Sequence, residues 1–551
     1  MDSRGREIIL MGNTLFSKKR TVDSLWQEIA LNFYPERADF TDTRNEGAEY
    51  SDHLYSSYPV LARRELGNLM SANLRPQSKK WFTCHISDMD LDDRSEERRF
   101  LEHLSDIQWR AMYNPRSGLV RATKQADHDF VTFGNAVILG SPNANMDGLL
   151  FRNFHLRDCV WAEDPDGMID EMHRNWAPTA RQLYAKFGDK VSKEVRKLCE
   201  KEPYKEVKCR HVVMPRRIFE KKKPNGNPYE WTSFLVETET ETVLEEVGMS
   251  YFPYVVPRWM TVSGSVFGRS MATAVALPDG RTMQVVVRTI REAGEKYVDP
   301  PMIAIADAIR GDIPLFAGGI TIADMEYDER LGEVLRPVTQ NPGSMPVGFE
   351  IAAALKEDIR NAFMLDKITL PDVSNADMTA FEVRRRLEEH IKSASPVFEP
   401  VEKDYSSPLC ELGFNILMKH GGFPLQNMPQ SLRGRDVRFT FRSPISDMTD
   451  DAEARRFTEI VQTILMPIAQ IDPSQMEQVN LTSATRDAMK KAGWPEKHFN
   501  DEKKVEARRK QMMEQAQQAQ MMAMAEQGAG AAEKGGRALQ AINQSGQGRA
   551  A

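Results

Sequence analysis

The chain has 551 residues, 41% hydrophobic and 28% charged, a balance that buries cores and excludes wholesale disorder. At roughly 150 residues per domain, this length corresponds to about three or four domains. Lysine and arginine number 73 against 80 aspartate and glutamate, and the net charge of -7 excludes a protein that grips nucleic acid by bulk charge.

Val22, Leu25, Trp26, Ile29 and Phe33 recur at three and four residues, which predicts a helix entered after Thr21 and stopped before Pro35. A second helix is predicted over Ser95–Met112 from Phe100, Leu101, Leu104, Ile107 and Trp109. Acidic residues from Glu163 to Glu171 alternate as calcium ligands could, but they lack the twelve-residue loop spacing. A Pro165-Asp166-Gly167 turn between strands is the better reading. Between 205 and 260, β-branched and aromatic residues alternate with polar ones, with Asn225-Gly226 as a turn, so this part is β-rich.

Beyond Pro278, the stripe Met283, Val286, Val287, Ile290 and Ala293 predicts a helix that Asp299-Pro300-Pro301 must end. About 45 residues of short strands and turns follow. A helix with Ala352, Leu355, Ile359 and Phe363 on one face then returns to a turn-rich stretch, Asp366 to Asp377. The next helix opens at Thr379 and carries Phe381, Val383, Leu387 and Ile391. From Glu502 to Gln527 strong helix formers, late on mostly Met, Gln and Ala, lead into a glycine-rich tail. The fold class is therefore α+β and predominantly helical.

Chemical motifs are missing. No run approaches the roughly 18 apolar residues of a membrane span, and Ile8 to Met11 is too short for the core of a secretion signal, so a cytoplasmic, membrane-free protein is expected. The five cysteines lie far apart without a CxxC pair, against both a disulfide framework and a structural zinc. No GxxxxGK[ST], GxGxxG, HExxH or GxSxG occurs, the ten histidines are scattered, and pairs such as Asp450-Asp451 are common in an acidic chain. No catalytic residue, cofactor or metal is assigned. An enzyme whose site is assembled from distant residues is the alternative.

Five stretches in order resemble the portal, or head-to-tail connector, proteins of short-tailed double-stranded DNA bacteriophages. They are Trp26 to Pro35; Phe267-Gly268-Arg269-Ser270 through Asp279; Glu295 to Pro301; Met378 to Arg386; and Phe414-Asn415-Ile416-Leu417. One departure is Phe381, where a small or hydroxyl residue would be usual. The resemblance runs from about residue 20 to 510. It implies a twelve-fold ring at one capsid vertex and this division: wing 1–276, continued at 378–445; stem helices 277–297 and 346–364; clip 298–345; tunnel loop 365–377; crown 446–527; disordered tail 528–551. A different ring-shaped tail adaptor would share the oligomer but not the order of helix, β-module, helix and loop between 280 and 377.

The implied partners are further copies of the chain, a terminase packaging motor, a tail adaptor, major capsid and scaffolding or internal core proteins, and duplex DNA passing non-specifically. The implied location is the virion, with assembly in the host cytoplasm. A conduit must let DNA slide, and each fixed phosphate contact adds friction, which suits the acidic balance. The clip holds eight acids against three arginines, with Asp324, Glu326, Asp328 and Glu329 as a docking surface for motor or adaptor. Channel candidates are Asp366 and Lys367 in the tunnel loop and Arg281, Arg288 and Arg291 in the stem. These arginines, with Lys296, are also placed to pair with Glu292 and Glu295 of a neighbouring stem, the reading preferred for them.

Overall fold

Residues Ser3–Phe33 form one helix, α1, in the computed structural model. The structure describes residues 3–43, 45, 47–77, 79–86, 95–143, 145–146, 148–219, 229–298, 300, 302–304, 335–337, 344–368, 401–434, 437–441, 453–471, 481–494, 498–499, 505, 507–519 and 521. The end of α1 agrees with the apolar stripe, but its start lies far upstream of Thr21. Two residues hide this half. Gly12 sits where a Cβ would stand 2.5 Å from the Arg210 guanidinium and 2.7 Å from the His173 ring, so close approach excludes an apolar side chain there. Lys19 is fully buried: its Nζ donates to the Leu156 carbonyl at 2.6 Å and pairs with Asp23 at 3.0 Å. Burial lowers the Lys19 pKa, and Asp23 opposes that shift.

Strands β4 (Cys159–Glu163), β5 (Ile169–Trp176), β6 (Cys209–Pro215), β7 (Trp231–Glu237) and β8 (Val243–Met249) form an antiparallel meander in sequence order. Alternation gives the sheet two cores. Val212, Met214, Phe234 and Val236 pack on Ile8 and Ile9 of α1. On the opposite face, Cys209 and Leu235 meet Leu183 and Val195 of the helices Ala180–Phe187 and Lys193–Lys201. The Pro-Asp-Gly segment is the expected turn: the Asp164 carboxylate accepts from the amides of Asp166 and Met168 at 2.9 Å each, and Gly167 takes φ +80°. Asp170 pairs with Arg217 and Glu171 with His173, and among the described residues no group of carboxylates suited to a metal ion occurs.

A second, three-stranded sheet has the order β3-β2-β9, formed by Leu149–Asn153, Ile138–Pro142 and Tyr254–Val255. The helix α4 (Leu119–Phe133) packs on it, and α2 (Tyr58–Leu74) packs on α4. Trp26, Phe40, Phe133 and Phe267 cluster with ring centroids 5.1–5.9 Å apart. Charge is buried in this body as well. Arg75 pairs with Asp127 and lies 4.4 Å over the Tyr405 ring, while Arg37 meets Asp129 at 3.1 Å. Burial disfavours the Arg75 charge, but the Asp127 carboxylate outweighs this and holds its pKa above the ordinary value.

All of these contacts lie within one compact unit, residues 1–82, 106–425 and 439–445; residues 83–105, 426–438 and 446–551 form the other. The second unit holds the start of α3 (Ser95–Met112), which matches the predicted helix. Within it, Arg99 donates to the Phe499 carbonyl at 2.6 Å and Ser431 to Glu97 at 2.8 Å. Helices Met466–Ile471 and Leu481–Lys491 follow. Residues 507–519 are helical with Met512 and Met513 exposed, which agrees with the predicted C-terminal helix over that span. The Asn225-Gly226 turn, the helix opening at Thr379 and the tail lie outside the described residues.

Candidate functional site

Two long helices, Met271–Val298 (α7) and Ser344–Ala362 (α8), pack on each other. They are joined through a short antiparallel ribbon, β10 (Met302–Ala304) and β11 (Leu335–Pro337), in which Met302 faces Pro337. The helix expected beyond Pro278 begins at Met271 and contains that proline. Its start is set by Ser270, whose hydroxyl accepts from the Thr273 amide at 3.3 Å and whose carbonyl accepts from Ala274 at 3.0 Å. The fully buried Ala272 and Ala276 fix the first turns in the body. Packing therefore overrides the break that a proline imposes through its missing N–H.

The pair is seated on the body by small and polar residues. A Cβ on Gly280 would stand 2.9 Å from the Phe33 ring, which itself lies 5.5 Å from that of Phe363. The Gln284 Oε1 accepts from the Tyr55 and Ser56 amides at 2.8 Å each, and its Nε2 donates to the Ser56 carbonyl at 2.9 Å. Gly348 lets α8 close on Ile290, where a Cβ would stand at 3.0 Å. Gly280, Gln284 and Gly348 escaped the sequence reading; a glycine inside an apolar helical stripe was the available signal.

On α7, Met271, Val275, Thr282, Val285 and Thr289 follow helical spacing through Pro278 and make an uncharged stripe about 27 Å long at 1.5 Å per residue. Val275 and Val285 are 62% and 63% exposed. Val347, Phe349 and Ile351 of α8 are exposed too.

The charged candidates fall into three groups. Arg281 reaches Glu28 of α1 at 2.5 Å, and Arg288 reaches Glu292 of its own helix at 2.7 Å, with its guanidinium 5.4 Å from the Tyr55 ring. Both therefore find partners inside the chain. The hydrogen bond that Arg288 donates to Glu292 raises the Arg288 pKa. Arg291 is exposed and, among the described residues, carries no ion pair. Asp366 is held by Arg360 at 2.8 Å on a helical turn, Leu365–Ile368, where a loop was expected to begin. Lys367 belongs to that turn, with its side chain outside the described atoms. Asp324, Glu326, Asp328 and Glu329 also lie outside the described residues. No group of His, Cys, Asp or Glu suited to a metal ion occurs among the described residues.

A family model described as bacteriophage head to tail connecting protein matches residues 9–499. The chain is 23% identical over 519 residues to the portal protein of Salmonella phage epsilon15, covering 93% of this chain and 91% of that protein. It is 25% identical over 529 residues to the probable portal protein of Bordetella phage BPP-1, at the same two coverages. Among solved structures, a chain from the virion of a native gene transfer agent particle matches at TM-score 0.33 and 10% identity, over 80% of this chain and 91% of that one. A chain from the neck of an empty particle of that kind matches at TM-score 0.34 and 12% identity, over 74% and 88%. Likenesses this distant carry no argument about assembly.

Proposed function

Since the chain belongs to the bacteriophage head-to-tail connecting proteins, we propose that it is the portal subunit of a short-tailed phage, a twelve-fold ring at one capsid vertex through which the genome is packaged and ejected. The family is structural, so the chain is a connector and not an enzyme. In this reading α7 and α8 are the stem, the ribbon between them opens the clip, residues 365–377 form the tunnel loop, and the second unit contributes the crown. Terminase motor and tail adaptor dock in turn on the clip acids Asp324, Glu326, Asp328 and Glu329. Capsid and scaffolding or core proteins surround the ring.

The observation that carries the reading is the uncharged stripe on α7, set on a helix that Gln284 and Gly280 hold rigidly against the body. A repeated head-to-tail contact closes a ring and covers such a stripe in every copy. Each exposed valine it covers contributes up to about 1.5–3 kcal/mol. The conduit role is supported by charge. Arg281 and Arg288 are neutralised by Glu28 and Glu292, so of the three candidate stem arginines only Arg291 is without an ion pair among the described residues, which limits friction. Light scattering coupled to chromatography, with negative-stain microscopy, tests the proposal: rings of about a dozen subunits with a hole wide enough for duplex DNA support it, and a stable monomer contradicts it.

A further inference from the structure

The helical pair has two exposed sides, and the register of α7 against α8 fixes which residues lie on each. The helices run antiparallel: a Cβ on Gly348 would stand 3.0 Å from the Ile290 side chain, and one on Gly294 3.9 Å from that of Met345. A helix turns about 100° per residue. In an antiparallel pair, the residues just before each contact position therefore share one side, and those just after share the other. Thr289 and Val347 lie on the first side, with Val285 and Ile351 one turn away on their own helices. Arg291 and Phe349 lie on the second.

The two sides differ in shape. The first is an uncharged shelf across both helices: Val285, Val347 and Ile351 are exposed, and the Thr289 hydroxyl donates to the Val285 carbonyl at 2.9 Å, which satisfies its donor within the helix. The second carries one large projection, Phe349, 57% exposed. A head-to-tail contact needs two different surfaces on one chain, whereas a two-fold contact pairs a surface with itself. Rotation about a ring axis also keeps every atom at its own height. With the pair along that axis, Phe349 must meet residues level with itself, and the Ile290 to Gly348 register sets it level with Thr289. Charge agrees with the match. Glu292 borders the shelf three residues past Thr289; one of its carboxylate oxygens takes Arg288 at 2.7 Å, and the other is placed for Arg291 of the adjoining copy.

We infer that Phe349 of one subunit seats on the shelf of the next, between Val285 and Thr289 of α7 and Val347 and Ile351 of α8. The inference rests on the portal reading and names the surfaces through which the ring closes.

The test places cysteine at Thr289 and Phe349 of the full chain, singly and together, and resolves the oxidised proteins without reductant. The native chain, whose cysteines are buried or half-buried, is the control. On one chain the two positions lie on opposite sides of the pair, beyond the Cα separation of about 4.4–6.8 Å that a disulfide spans, so only different copies can be joined. The double variant should give a ladder of covalent oligomers rising to the whole ring, and each single variant should give monomer. Phe349→Asp should abolish rings and Phe349→Leu should keep them. Covalent dimers of the Phe349→Cys variant alone would show like surfaces meeting and overturn the inference. So would rings that give no ladder and survive Phe349→Asp, although the portal reading would still stand on those rings. A native chain that forms no ring by light scattering overturns both.

Discussion

The body around the two sheets and the helical pair that leaves it solve opposite problems. In the body charge goes inside: Arg75 and Asp127 have side chains 3% and 1% exposed and pair with each other. On the helical pair charge stays outside, with Arg281 and Arg288 paired, while Val275 and Val285 face water. The body buries its charged pairs within itself, whereas the pair leaves apolar surface that only another molecule can cover. The two regions should therefore respond differently to substitution: the body in stability, the pair in assembly.

The largest effect is expected at the buried ion pair. Arg75→Met leaves the Asp127 carboxylate buried without its partner and should cost about 3–5 kcal/mol in urea unfolding, with part recovered by adding Asp127→Asn. A cost under about 1 kcal/mol would mean that the body does not depend on its internal charges. At the seam between the regions, Gly280→Val drives a side chain into the Phe33 ring, which Phe363 backs at 5.5 Å. A thermal melt should show destabilisation of about 1–3 kcal/mol, the usual cost of overpacking.

Acid supplies a third contrast. Burial holds the His211 imidazole down to about 3, with the Tyr254 and Ser233 hydroxyls 2.5 and 2.9 Å from its ring nitrogens. The unfolded chain takes up this proton near pH 6.5 and the native sheet does not. Stability is therefore complete above that pH and falls by about 1.4 kcal/mol per pH unit as the solution is acidified toward the folded value. Protection factors in β6 and β7, which remove the intrinsic pH dependence of amide exchange, should fall over this window in the native chain, and His211→Gln should flatten the dependence.

Sequence periodicity revealed elements whose buried faces are apolar, such as Ser95–Met112 and the return helix with Ala352, Ile359 and Phe363. It failed where burial is polar or glycine-dependent. The first half of α1 contains Gly12 and Lys19, whose reasons for being there are His173, Arg210 and the Leu156 carbonyl, all more than a hundred residues away. Pro278 reads as a boundary locally and lies inside α7 because Ser270 and the buried alanines begin the helix earlier. The stem cations were legible as positions and Glu292 as a partner, but it was expected across a subunit boundary and meets Arg288 on its own helix. Glu28 meets Arg281 only after α1 and α7 have packed.

The smallest effect on stability should come from the exposed stripe. Val275→Asp with Val285→Asp touches surface positions and should change protomer unfolding by no more than about 0.5 kcal/mol per site. Its effect on assembly should be complete, because the two charges would be desolvated without partners in every contact of the ring.

The most direct measurement is the mass and symmetry of native and doubly substituted protein side by side. The native chain should form closed rings of about a dozen subunits, and the Val275→Asp, Val285→Asp protein should remain a folded monomer. Rings that survive both charges, or a native chain that stays monomeric at high concentration, would contradict assembly through the stripe on α7.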